Sequence, residues 1–186
     1  MFVIVRINKD RFIMNTNNIW KKPDFPGRLD GARTLADIFE VVKEVVWNSK
    51  TKSRAGLMLG LADLGNSPGG FVGAFFTVGS NFIVMNRIPL ERIKETRPEL
   101  YKSFVFHVLM HEYIHSLGYL EEQLVRQMVY DISRAVMGES HLATQLAHDP
   151  TRFIPNLAYP DLAWRPKDFK MELVEGFDRG SVCYIN

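Results

Sequence analysis

The chain has 186 residues, of which 46% are hydrophobic and 24% charged, an ordinary globular composition that argues against a disordered protein. Its formal net charge of +2 is too small to predict nucleic acid as the main partner, and no apolar run is long enough to predict a membrane span. The length predicts a single domain over residues 1–186. One cysteine, Cys183, cannot form an internal disulfide and favours a cytoplasmic location.

The first half of the chain predicts a helix and five strands. Short strands are predicted at 2–7 and 11–14, before an irregular segment punctuated by prolines. A helix follows from a cap at Asp30 or Thr34 to about Asn48, because apolar residues recur there at helical spacing. The three remaining strands are predicted at 55–64, 71–78 and 82–86. Gly79-Ser80-Asn81 joins the last two as a hairpin.

The second half is predicted to be mainly helical. A short helix begins at Pro89, and Thr96-Arg97-Pro98-Glu99 has the form of a capping box before a long helix over 98–117 that ends at Gly118. Another helix begins at Glu121 or Glu122 and ends at Gly138. Its buried stripe is predicted to consist of Leu124, Met128, Ile132 and Val136. A short helix is predicted at 140–147, and the chain is predicted to end in strands within 172–185. The predicted fold class is therefore α+β, a small mixed sheet packed on helices.

The long helix carries the sequence His111-Glu112-Tyr113-Ile114-His115, an HExxH motif in the most apolar stretch of the chain. A helix that is apolar on all sides is buried. Residues four apart share a helix face, so His111 and His115 offer two nitrogens to one metal ion, while Glu112 can reach a water molecule there. No Lys or Arg occurs from Ser103 to Glu122 to pair with a buried Glu112. The pattern therefore predicts a Zn²⁺ site with Glu112 as general base.

Residues 30–122, roughly, resemble the catalytic half of a zincin metallopeptidase. The resemblance lies in the order of the predicted elements, a helix and strands with a hairpin followed by the HExxH helix. The longer run from His111 to Glu121 is similar to the metzincin form HExxHxxGxxH, with Gly118 in place and Glu121 where a third histidine usually stands. The resemblance implies a zincin-like fold and a third ligand at Glu121. The chain departs from the metzincin pattern in having no recognisable Met-turn, since Met137 and Met171 lack its usual surroundings.

The third ligand has alternatives. Glu121 and Glu122 also fit the first turn of the next helix, where acidic side chains are favoured by the helix dipole. His148 is the second candidate, because some HExxH proteins place a histidine after the next helix, and His141 and Glu122 are further candidates. His107 shares the face of His111 and is interpreted as a core or supporting residue. Tyr119 and Tyr159 are possible supports for an oxyanion.

The expected function is a zinc-dependent peptidase that acts on peptide or protein substrates, without a nucleic-acid or membrane partner. The alternative is a zincin-fold metal-binding protein that has no peptidase activity and acts as a binding module. A third interpretation is a chance HExxH on a helix. Residues 70–78 are the candidate edge strand for substrate, because Gly70, Gly73 and Ala74 permit close approach of another backbone. An interior strand is the competing interpretation. The sequence does not predict the oligomeric state.

Overall fold

A computed structural model describes residues 3–7, 10–14, 23–66, 71–159 and 163–179. Its helices are α1 (Phe25–Gly31), α2 (Leu35–Lys50), α3 (Arg87–Thr96), α4 (Tyr101–Ser116), α5 (Glu122–Met137), α6 (Leu142–His148) and α7 (Ile154–Leu157). Its strands are β1 (Val3–Ile7), β2 (Asp10–Met14), β3 (Met58–Ala62), β4 (Ala74–Phe76), β5 (Phe82–Asn86) and β6 (Met171–Leu173). Two 3₁₀ turns cover Pro98–Leu100 and Pro150–Phe153.

Four of the strands form one mixed sheet in the order β4-β5-β3-β6. β3 and β5 are parallel, whereas β4 pairs antiparallel with β5 and β6 antiparallel with β3. The strands β1 and β2 form a separate antiparallel pair. This combination of a small mixed sheet with helices confirms the predicted α+β class. In the part of the chain that is described, no helix has the length and apolarity to cross a membrane.

The central helix is α4, which packs against α2, α5, α6 and β4. Eleven of its sixteen residues are buried, and the face that carries His107, His111 and His115 is partly exposed. The ring of Tyr113 is fully buried and meets the edge of Phe39 from α2, with ring centroids 5.4 Å apart. This burial explains why the residues around the motif histidines are apolar, and it fixes the backbone from which the motif projects.

Several predicted elements are confirmed. Thr34 caps α2 in a capping box with Asp37, in which each side chain accepts a hydrogen bond from the other residue's backbone. The hairpin β4–β5 is present, although β4 is shorter than predicted. α4 ends before Gly118, which has a φ of +96° that a glycine adopts without strain.

Asn86, at the end of β5, holds three chain segments together. Its buried side chain accepts hydrogen bonds from the backbone N–H groups of Leu64 (3.1 Å) and Ile88 (3.2 Å). It donates to the carbonyl oxygens of Gly65 (3.0 Å) and Val72 (2.9 Å). The amide thus caps α3 and fixes the segment that leads to β4.

Other predictions were wrong. α1 lies partly in the segment predicted to be irregular; Asp24 caps it, and Pro26 stands in its first turn. The capping box at Thr96 does not form, because the hydroxyl donates to the carbonyl of Arg92 within α3. Leu124 on α5 is exposed, and the buried stripe instead consists of Val125, Met128, Val129 and Ile132. Of the final strands predicted within 172–185, β6 is present and 174–179 is not a strand, while 180–186 lies outside the described residues.

Candidate metal centre

A cleft of about 1090 Å³ lies along α4. One wall comes from β4 and the residues that flank it, and the opposite wall from the first half of α5. The β4 wall is apolar and partly exposed, with Val72, Phe75 and Val78 facing outward. The α5 wall is polar and includes Arg126 and Gln127. His107, His111, Glu112 and His115 form part of the cleft lining.

The two motif histidines meet as the sequence predicts. Their Nε2 atoms are 3.1 Å apart. The Nδ1 of His115 lies 2.8 Å from the carbonyl oxygen of Tyr119, which can only accept a hydrogen bond. Nδ1 therefore carries the proton, and the Nε2 of His115 presents a lone pair. A backbone carbonyl that fixes a histidine in this way is a common support for a metal ligand.

Glu122 is the carboxylate that completes the cluster. Its Oε2 lies 3.2 Å from the Nε2 of His115, and its Oε1 lies 3.3 Å from the Nε2 of His111. A lone pair that faces a carboxylate oxygen at this distance is repulsive unless a proton or a metal ion lies between them. Two ligands on a tetrahedral zinc ion, with bonds of about 2.0–2.1 Å, are separated by about 3.3 Å. The three side chains could therefore hold one metal ion.

Glu121 has a different place in the structure. Both of its carboxylate oxygens cap α5, accepting from the backbone N–H groups of Gln123 (3.0 Å) and Leu124 (2.9 Å). The alternatives His141 and His148 are also apart from the cluster. The Nδ1 of His141 caps α6, and His148 lies in the cleft wall against the ring of Tyr130. Among the candidate third ligands, the structure brings Glu122 to the histidines.

Glu112 is almost fully buried beside the histidines. Burial raises the pKa of its carboxyl group to about 7, although an electrostatic contribution from His115 and a backbone hydrogen bond from Phe76 oppose the shift. A carboxyl group with a pKa near neutrality is suited to exchange protons at physiological pH. Glu122 differs, because hydrogen bonding to Arg126 and the charge of His111 outweigh its desolvation and lower its pKa.

His107 stands one turn before His111 and also lines the cleft. Its Nδ1 is buried and has no hydrogen-bond partner among the described residues. Burial lowers its pKa to about 4, with smaller contributions from the charges of His111 and Arg126, so the imidazole is neutral at pH 7. The guanidinium of Arg126 lies nearby, and its Nε donates to Oε1 of Glu122 at 2.9 Å.

β4 is the edge strand of the sheet as described, which agrees with the edge-strand interpretation of 70–78 for residues 74–76, whereas Gly70 lies outside the described residues. Thr77 donates to the carbonyl of Phe82, and Asn86 donates to the carbonyl of Gly73. Odd-numbered residues therefore pair with β5, so the peptide groups of Ala74 and Phe76 point toward the free edge. The N–H of Phe76 is the group that bonds Glu112, which connects the edge strand to α4.

Sequence reasoning missed Arg54, since its basic surroundings predict only a solvated loop. Its guanidinium donates to the carbonyl oxygen of Ser116 (2.8 Å) at the end of α4 and to that of Ser80 (2.7 Å) in the hairpin turn. It also covers the ring of Phe76, 5.1 Å from the centroid. No local sequence pattern identifies such a residue, because its partners are 26 and 62 positions away.

Neither tyrosine that the sequence suggested for oxyanion support lines the cleft. The hydroxyl of Tyr159 donates to Glu95 at 3.0 Å. Tyr119 contributes its carbonyl oxygen to His115 instead, while its ring faces Lys52.

Comparison of the chain with protein-family models, with curated proteins and with solved structures gave no significant match.

Proposed function

We propose that the protein is a zinc-dependent hydrolase of the zincin type, a peptidase whose metal ligands are His111, His115 and Glu122. The observation that carries the proposal is the spacing of their three side chains. The Nε2 atoms of the two histidines are 3.1 Å apart, and each lies near a different oxygen of Glu122, His115 at 3.2 Å from Oε2 and His111 at 3.3 Å from Oε1, close to the spacing of neighbouring ligands on one tetrahedral ion. A catalytic zinc site has three protein ligands and one open position, and this cluster supplies three.

Zinc, when bound, polarises a carbonyl group and lowers the pKa of a water molecule. Glu112 then has the role of general base. It accepts the proton of the attacking water and transfers it to the leaving amine, for which its raised pKa is suited. Tyr119 fixes the orientation of His115 through its carbonyl oxygen. Arg54 holds the end of α4 against the hairpin that carries β4.

The edge strand supports a peptide as the substrate. Ala74 directs its N–H and C=O groups toward the free edge beside the cleft, where an extended peptide can pair with them. The exposed apolar side chains of Val72, Phe75 and Val78 in the same wall would contact substrate side chains. A peptide or protein substrate and a cytoplasmic location remain predictions from the sequence.

The test is Glu112→Gln in the full chain, with zinc content and peptide hydrolysis measured on the same sample. The amide keeps the shape of the side chain and removes the base. We expect zinc to be retained and hydrolysis of a peptide library to fall by at least about 10²-fold, the usual contribution of a general base.

Glu121→Gln is the matched control, because it changes a nearby carboxylate whose oxygens bond backbone groups. We expect it to leave hydrolysis unchanged. Wild-type protein that holds zinc and cleaves no peptide in the library would favour the metal-binding module over the peptidase. Wild-type protein that binds no zinc at micromolar concentration would contradict the proposed function altogether.

A further inference from the structure

A group of hydrogen-bond donors lies in the cleft beside the candidate metal centre, one helix turn before His111. The Nε of Arg126 is engaged by Glu122 at 2.9 Å. Its two terminal nitrogens have no hydrogen-bond partner within the described part of the chain. The side chain is 70% exposed and lines the cleft. The guanidinium thus offers its terminal N–H groups to a molecule in the cleft.

His107 supplies the second part of this group. Its Nδ1 is buried without a partner among the described residues, whereas the residue is only partly buried and lines the cleft. A buried N–H without a partner is rarer than an acceptor without one, so Nδ1 is assigned the lone pair and Nε2 the proton. The Nε2–H is then the donor that this cleft-lining residue has to offer. Arg126 is close enough to contribute to the lowered pKa of His107.

We infer that Arg126 and His107 form a subsite for a carboxylate of the substrate. Arg126 offers donors alone and a positive charge, and the acceptor nitrogen of His107 is the buried Nδ1, so the pair selects an anionic acceptor. A planar guanidinium with two free N–H ends matches the two oxygens of a carboxylate.

The position of the subsite indicates which carboxylate it takes. One turn of helix separates His107 from His111, a rise of about 6 Å. An extended peptide advances about 3.3 Å per residue. A carboxylate held there belongs one or two residues beyond the bond at the metal. The substrate class is therefore a peptide cleaved close to its free C-terminus, or one with an acidic side chain at that place.

The simpler interpretation is that Arg126 only stabilises α5 through an i,i+4 pair with Glu122. Arg134 makes a comparable pair with Asp131 on the same helix and does not line the cleft. The comparison separates a helix-stabilising arginine from a substrate-binding one, and it supplies the matched control.

This inference rests on the proposed function, and its test measures binding instead of catalysis. The protein is the full chain with zinc and Glu112→Gln, so that substrate is not consumed. The probes are an N-terminally fluorescein-labelled apolar tripeptide with a free C-terminal carboxylate, its C-terminal amide, and the amide with Asp as its last residue. Fluorescence anisotropy gives the Kd of each probe.

We expect the free acid to bind at least about 10-fold more tightly than the amide, a ratio that reflects charge-assisted hydrogen bonds. Arg126→Gln should remove this preference, His107→Leu should reduce it, and Arg134→Gln should leave it intact. If the Asp-containing amide binds as tightly as the acid, a side-chain carboxylate is the ligand. Equal binding of acid and plain amide, or a preference unchanged in Arg126→Gln, would overturn the inference.

Failure of the carboxylate subsite can be distinguished from failure of the proposed metal centre. Zinc content and circular dichroism are measured for every variant, and the probes are also titrated into zinc-free protein. Absence of zinc binding contradicts the metal centre. A carboxylate preference that persists without zinc and is lost in Arg126→Gln still supports the subsite, whereas its absence there as well overturns it.

Discussion

The two helices that meet at the cleft place glutamates beside the same pair of histidines in opposite environments. Glu112 is a buried residue of the central helix α4, and this burial raises its pKa to about 7. Glu122 lies on the exposed face of the amphipathic helix α5, and its pKa is lowered because Arg126 and the histidines outweigh its desolvation. The same side chain is thus suited to transfer protons in one place and to remain an anion in the other.

The difference supports the proposed roles of the two glutamates, Glu112 as general base and Glu122 as metal ligand. A general base must hold a proton for part of the cycle, which a buried carboxyl group does readily. A metal ligand must stay deprotonated, which a half-exposed carboxylate near positive charge does. Burial on α4 also fixes the histidines, whereas Glu122 reaches them from a surface helix. Four experiments challenge this division, from the largest expected effect to the smallest.

The largest effect is expected on zinc affinity when a histidine of α4 is removed. His111→Ala or His115→Ala should weaken zinc binding by at least about 10³-fold, because each deletes a fixed nitrogen ligand. Glu122→Ala should weaken it by about 10²-fold, since water can replace a ligand on a mobile, half-exposed side chain. Competition with a chromogenic chelator measures all three affinities.

The control for that experiment is Glu121→Ala. Loss of a helix cap should lower the free energy of unfolding by about 1 kcal/mol and leave zinc affinity unchanged. If Glu121→Ala instead lowers zinc affinity while Glu122→Ala does not, the third ligand is Glu121, as the metzincin resemblance implies.

The second effect is on stability and concerns the proton of Glu112 in metal-free protein. A folded-state pKa of about 7, above the ordinary value, means that the folded chain keeps a proton that the unfolded chain has released. Stability should therefore fall as pH rises from about 4.5 to 7, by up to about 3 kcal/mol. Glu112→Gln has no such proton to lose, so it should exceed the wild type in stability at pH 8.

Urea denaturation with EDTA at pH 5 and pH 8 measures the effect. Little difference is expected between the two proteins at pH 5, where Glu112 is protonated in the folded state. A wild type that is as stable at pH 8 as the variant would show that burial does not hold the pKa of Glu112 high.

The third experiment compares two backbone N–H groups of β4, one directed to the free edge of the sheet and one directed to the neighbouring strand β5. The N–H of Ala74 points to the free edge, whereas that of Phe75 faces β5. Ala74→Pro should weaken peptide binding by about 5-fold or more while the fold is retained. Phe75→Pro should lower the free energy of unfolding by about 2 kcal/mol, because it removes a ladder donor. Thermal melts and peptide titrations distinguish the two outcomes.

The smallest effect compares neighbours on α5. Val125 is fully buried and Leu124 is 44% exposed. Val125→Ala should cost about 1.5 kcal/mol, while Leu124→Ala should change stability by less than about 0.5 kcal/mol. An equal loss of stability in the two variants would indicate that Leu124 packs into the core, as the stripe predicted from the sequence requires.

Local patterns in the sequence predicted most of the fold. Helical periodicity and the Thr34 cap located α2, and the apolar HExxH run located α4, because each signal lies within the element itself. α1 escaped prediction because it is only seven residues long and lies among prolines. The stripe on α5 was misjudged since residues four apart drift around a helix of 3.6 residues per turn.

The site was predictable in part for the same reason. Spacing within one helix brings His111, Glu112 and His115 together, so the motif was sufficient for these residues. The choice between Glu121 and Glu122 depends on the rotation of α5 relative to α4, which no local pattern encodes. Arg54 and Arg126 likewise acquire their positions at the cleft from tertiary packing.

The side chain of Asn86 has a consequence for how the protein ages on storage or heating. Its amide makes four hydrogen bonds to backbone groups, two as donor and two as acceptor. Deamidation to Asp would replace both donors with an acceptor and leave the carbonyls of Gly65 and Val72 facing a buried charge. One hydrolysed amide would therefore release the segment that leads to β4. The shape of this wall of the cleft therefore depends on an intact amide at Asn86.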